Sequence, residues 1–143
     1  MNISSNNEFG KLKAVVIGRP DGANWPNDDP HFQTYWKFGA KGPAKFPYNI
    51  PAEIIAEVNE NIYNICDRLK EHDVEVVRPR STNWKTAFAT HEWACTGMNN
   101  LTMRETLITI GNKVIECPHI YRSKHYESIS YETIKKYVQA VSY

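Results

Sequence analysis

The chain has 143 residues, with 17 Lys+Arg against 16 Asp+Glu and a formal net charge of +1. That length fits one domain or one piece of a larger one and suffices to bury a core, and an apolar share of 41% with 23% charged residues excludes wholesale disorder. Near-neutral charge leaves no basic footprint for nucleic acid, and no apolar run approaches the roughly 18 residues of a membrane span, so neither kind of partner is expected.

Met1 to Gly10 is polar, without the apolar stretch of a secretory signal or the arginines of a transit peptide, which points to a cytoplasmic chain. The cysteines, Cys66, Cys95 and Cys117, are odd in number and widely spaced, as expected of thiols in a reducing compartment rather than of a disulfide framework. Leu12 to Ile17 is rich in β-branched residues and stops at Gly18-Arg19-Pro20, which predicts a buried strand. Residues 19 to 50 mix breakers such as Pro20, Pro26 and Pro30 with Trp25, Phe32, Tyr35, Trp36, Phe38, Phe46 and Tyr48, and no periodicity survives. A long irregular rim or lid pinned by its aromatics is expected there. The interleaved Lys37, Lys41 and Lys45 are too few, against Asp28 and Asp29, for a single-strand nucleic-acid surface.

Pro51 suits a first helical turn, and Ile55, Val58, Ile62, Ile65 and Leu69 recur in steps of three and four, predicting an amphipathic helix to about His72 with Cys66 in its core. Val74 to Val77 reads as a short strand. Strand, helix and strand make a βαβ crossover, so the two strands are expected to be parallel. Residues 79 to 104 read as a second irregular stretch. Thr106 to Ile110 and Lys113 to Cys117 read as a hairpin around Gly111-Asn112, with Cys117 ending a buried strand. Ile134, Tyr137, Val138 and Val141 share one helical face, at whose end the chain stops. With no strand after that helix, the chain reads as either a capped domain or a fragment.

Two constellations invite chemistry. On a helix, His91 and Cys95 of His91-Glu92-Trp93-Ala94-Cys95 would share a face and could hold zinc, or act as nucleophile and base. Thr90 before them and Thr96-Gly97 after them instead favour a loop with a half-buried thiol. In Cys117-Pro118-His119 the neighbouring side chains of an extended segment point apart, which favours a structural thiol. Gly18-Arg19-Pro20 and Gly39-Ala40-Lys41-Gly42 are too short and wrongly placed to cradle phosphate.

Several segments taken together carry a family resemblance. Glu8-Phe9-Gly10-Lys11-Leu12 through Val16-Ile17-Gly18-Arg19 looks like a first strand of the form Asn-Glu-Trp…Val-Gly-Arg. Val74-Glu75-Val76-Val77-Arg78-Pro79, then Asn83-Trp84, is similar to Val-x-Val-x-Arg-Pro with a later Asp-Trp. Thr96-Gly97, Met103-Arg104-Glu105 and Gly111-Asn112-Lys113-Val114-Ile115-Glu116-Cys117-Pro118 look like Thr-Gly…Pro-Arg-Asp…Gly-Asn-Glu-Ile-Ile-Glu-Ala-Pro, and Tyr121-Arg122-Ser123-Lys124 and Glu127 continue the pattern. From about Glu8 to Tyr137 the chain resembles the amidinotransferases, most closely the glycine amidinotransferase type.

The resemblance implies an α/β fold, part of a pentein (a five-bladed α/β propeller of ββαβ units), with one to two blades in a single domain spanning 1–143. It implies amidino transfer from arginine to an amine such as glycine through a Cys-amidino intermediate, with a His as acid and base, and no cofactor or metal. The family's proteins are more than twice as long, and their Cys and His fall outside this chain, so an N-terminal portion that is inactive alone is expected. Of the family's site residues, an Asp four positions before Thr-Gly maps onto Glu92, one methylene longer, and Arg104 adds a supporting charge; these two are the candidate substrate-binding residues. Pro-Arg-Asp has become Met103-Arg104-Glu105. The alternatives are a non-catalytic guanidino-binding or interaction module and an arginine deiminase-like hydrolase fragment. The acceptor amine and any homo-oligomer stay open.

Overall fold

The computed structural model describes residues 3–39 and 50–135. Its strands form three two-stranded sheets in a mixed α/β arrangement. The first sheet pairs β1, Ala14–Val16, with β2, Glu75–Val77, in parallel, Val15 opposite Val76. The crossover expected from the sequence is therefore present. β1 is shorter than Leu12 to Ile17 and only half-buried, because a two-stranded sheet offers it one neighbour.

The link between these strands holds two helices. The first, α1, is Pro30–Gly39 and lies within the stretch expected to be irregular. Its start is chemically plain: Asp29 Oδ1 accepts the backbone N–H groups of His31 (2.9 Å) and Phe32 (3.3 Å), and Pro30 occupies the first turn, where a missing N–H costs nothing. The aromatics do pin this region, since Phe32 lies 6.2 Å from the Trp25 ring and edge-on to Tyr121 at 6.3 Å. Phe46, Tyr48, Lys41 and Lys45 fall outside the described residues, as do Tyr137, Val138 and Val141 of the final helical face.

The second helix, α2, is Ala52–Glu71, close to the expected span. Asp73 takes a φ of 59°, and Val74 and Asp73 donate backbone N–H groups to Leu69 and Lys70, a left-handed C-terminal cap that turns the chain straight into β2. Ile62 and Cys66 are its buried residues. Ile65, read as part of the apolar face, is half-exposed on the outer side, and Cys66 takes the inward position.

Between 79 and 104, also expected to be irregular, a small hairpin joins β3, Ala87–Ala89, to β4, Ala94–Thr96. Its turn needs no glycine: the Thr90 hydroxyl accepts the N–H groups of Glu92 (3.2 Å) and Trp93 (3.1 Å), and Thr90 N–H reaches the Trp93 carbonyl at 2.8 Å. The third sheet is the expected hairpin of β5, Leu107–Ile110, and β6, Lys113–Glu116. Gly111 has φ 58° and Asn112 does not, as a turn beginning with glycine requires. β6 is largely exposed and ends before Cys117, which is half-buried, so the expectation of a buried strand there is corrected.

Short 3₁₀ turns at Met103–Glu105, Arg122–Lys124 and Glu127–Tyr131 lead into α3, Glu132–Lys135. They place Met103, Tyr131 and Ile134 in one buried cluster, against which Val16, Val77 and Leu107 pack. The core thus joins the parallel sheet, the second hairpin and the 121–135 segment.

Candidate functional site

The end of β1 crosses the 100–101 segment at close quarters. A Cβ on Gly18 would lie 2.2 Å from the Leu101 carbonyl oxygen and 2.3 Å from that of Asn100, so only glycine fits. Beside this crossing lies an open cleft of about 560 Å³ lined by Val16, Ile17, Ile62 of α2 and the 101–105 segment, which brings Arg104 and Glu105 to its wall.

Arg104 is exposed. Glu105 is held from behind: its carboxylate accepts from the Lys124 ammonium and, at 3.0 Å, from the Thr102 hydroxyl, while His119 Nε2 lies 3.7 Å away. Burial would raise the Glu105 carboxyl, but the bond to Lys124 and its charge outweigh burial and hold it below its ordinary value. The cleft therefore carries a cation and a fixed carboxylate side by side. His119 is pushed below its ordinary value by burial and by Lys124. In the motif Glu105 is only the replacement of an Asp in Pro-Arg-Asp; Lys124, distant in sequence, is what fixes its carboxylate at the cleft wall.

Glu92 stands apart from this wall. It occupies the β3–β4 turn, its side chain is 73% exposed, and its carboxylate lies 3.5 Å from His91 Nε2. It is not among the residues lining the cleft that holds Arg104. Beneath the turn, Trp93 receives the Arg122 guanidinium over its ring at 5.4 Å and the His125 ring edge-on at 5.6 Å, which ties the hairpin to the 121–127 segment.

The nucleophile and zinc readings of His91 and Cys95 fail on geometry. The segment is a β-turn and strand, not a helix; His91 is exposed at the tip and Cys95 is buried in β4. Burial, together with the facing carboxylates of Asp28 and Asp29, pushes the Cys95 thiol up to about 12, so it is not a thiolate near neutral pH. Asp28 is itself occupied by the Thr96 N–H (2.7 Å) and hydroxyl (2.6 Å). Among the described residues, no group of three His, Cys, Asp or Glu side chains is placed to hold a metal, and no helix is long and apolar enough to cross a membrane.

The fold is one that amidinotransferases share. An inosamine-phosphate amidinotransferase from Streptomyces griseus superposes with a TM-score of 0.84 over 94% of this chain and 39% of its own, at 24% identity. In sequence, the mitochondrial glycine amidinotransferase of Xenopus tropicalis is 30% identical over 94% of the chain, and inosamine-phosphate amidinotransferase 1 of Streptomyces glaucescens is 27% identical over 92%. The chain is thus a homologue of the amidinotransferases over nearly its whole length, as its motifs led us to expect. It spans only about a third of the curated relatives it matches, 32% and 38% of these two. No family model matches it.

Proposed function

We propose that residues 1–143 form a single unit equivalent to the N-terminal one to two blades of a pentein-fold amidinotransferase, and that this unit binds a guanidino amino acid such as arginine without turning it over alone. The observation that carries this reading is the similarity to amidinotransferases of two kinds across more than nine-tenths of the chain. In the full reaction an amidino group would pass from arginine to an amine such as glycine through a cysteine, with a histidine moving the protons; we assign both groups to the part of the fold that this chain does not match. The raised thiol of Cys95 supports that assignment, since a buried, carboxylate-facing thiol is a poor nucleophile.

Within this unit a guanidinium, planar and rich in donors, calls for carboxylate acceptors, and an amino acid's own carboxylate calls for a cation. Glu92 is assigned as an acceptor on the resemblance alone, one methylene longer than aspartate; its exposed turn stands apart from the cleft wall, so its contact with the ligand is separate from that of Arg104. Arg104 is assigned to the substrate carboxylate, with Glu105 beside it on the cleft wall. The free cysteines suit a reducing compartment, on which a cytoplasmic setting is proposed, although the glycine amidinotransferase relative is a mitochondrial protein.

A second reading, a non-catalytic guanidino-binding module, shares these assignments and differs only in having no catalytic partner. Titration of arginine into isotopically labelled protein tests the shared part. Chemical-shift changes at Glu92, Arg104 and Glu105 that are absent with norleucine are expected; no arginine-dependent change at any of the three would overturn the assignment.

A further inference from the structure

Lys124 and Glu127 are an ionisable pair one 3₁₀ turn apart, 4% and 0% exposed. Lys124 faces two carboxylates. Glu105, half-exposed to water, takes its hydrogen bond; Glu127 Oε1 lies 3.5 Å away and makes no hydrogen bond of its own. The other Glu127 oxygen has only long contacts, 3.4 Å from the Thr106 hydroxyl and 3.3 Å from the Tyr131 hydroxyl, and those two hydroxyls share a shorter bond of 2.5 Å with each other. One buried cation thus serves two carboxylates, and the hydrated one holds it more closely.

The remaining charged surroundings do not correct the imbalance. Glu105 comes from the Met103–Glu105 turn, His119 from the segment after β6, and Glu116 of β6 acts on Tyr131. Lys124 is the cation within ion-pair distance of Glu127, and Glu105 adds a like charge against it. A carboxylate wholly out of water with half its oxygens unbonded is cheaper to hold neutral than charged.

We propose that Glu127 is a proton-linked clasp: protonated, it sits as a neutral carboxyl between the 121–131 segment and the Thr106–Tyr131 hydroxyl pair, and ionised, it places an under-compensated buried charge in that joint, which loosens the joint and competes with cleft-lining Glu105 for Lys124. Burial pushes the Glu127 carboxyl up to about 7, against an ordinary 4.5, so the switch falls near neutral pH. The sign follows from linkage. The folded chain holds the proton to a higher pH than the unfolded chain does, so this stabilisation is complete below about 4.5 and is lost as pH rises through about 7.

The test compares the wild-type chain with Glu127→Gln, which keeps the shape and removes the titration, by urea unfolding and amide hydrogen exchange between pH 5 and 8.5. For the wild type, the unfolding equilibrium constant should rise by roughly ten- to a hundred-fold across that range beyond any change seen in the variant. Protection at Thr106, Leu107 and 123–131 should fall with it, and the variant should be the more stable protein at pH 8. Equal pH dependence in the two proteins, or a variant less stable at pH 8, would overturn the clasp. If the variant does not fold, carbon NMR of the glutamate carboxyls in the wild type decides. One carboxyl titrating near neutrality is expected, and all of them titrating below pH 5.5 would refute the proposal.

Discussion

The Asp29 carboxylate accepts both the backbone N–H (2.9 Å) and the hydroxyl (2.8 Å) of Ser123 through one oxygen, while its other oxygen caps α1. A single buried side chain thereby joins the start of a helix to a 3₁₀ turn far along the chain. Asp29→Ala leaves these buried donors without an acceptor, and a loss of ~3 kcal/mol is expected from the charged hydrogen bonds and the cap together. Urea denaturation measures it. A loss below about 1 kcal/mol would mean that the joint is held elsewhere.

Cys95 should be inert. With its thiol raised to about 12, native protein at pH 8 treated with iodoacetamide should be alkylated at half-buried Cys117 well before Cys95, and Cys95 should react only after unfolding. Peptide mapping by mass spectrometry reads the order. Rapid native modification of Cys95 would restore it as a nucleophile candidate.

One face of the β5–β6 hairpin is apolar and open. Ile108 pairs with Ile115, and Ile110 lies on the same side, 60% exposed. Such a face beside unpaired strand edges invites association. The purified chain should show concentration-dependent sedimentation, reduced several-fold by Ile110→Lys. A wild-type monomer at all concentrations would argue that this surface needs no cover.

How much of this was legible in the sequence follows from how local each signal is. The apolar period of α2, its Pro51 entry and the short return to β2 lie within one continuous stretch, and so does the Gly111-Asn112 turn; all were readable. Helix α1 was hidden because its signal is two residues, Asp29-Pro30, amid aromatics that break any period. The β3–β4 hairpin was hidden because three-residue strands cannot show an alternation and its turn rests on Thr90 rather than on glycine. At the site, Arg104 was read from its motif. Glu105, Lys124, Glu127 and Thr106 come from separate segments, and only folding makes them one cluster. Glu92 was placed on a loop correctly, but nothing in its spacing told that the turn stands off the cleft wall.

The central claim is that this unit grips a guanidino amino acid without performing the transfer. The most direct measurement incubates the purified chain with arginine and glycine, assays guanidinoacetate and ornithine, and measures arginine binding in the same preparations of wild type, Glu92→Ala, Arg104→Ala and Cys95→Ala. Expected are no product in any sample and arginine binding in the millimolar range, about −4 kcal/mol, weakened at least several-fold by Glu92→Ala and by Arg104→Ala and unchanged by Cys95→Ala. Product formation that survives Glu92→Ala and disappears with Cys95→Ala would contradict the claim, and would make the buried thiol of β4 the nucleophile.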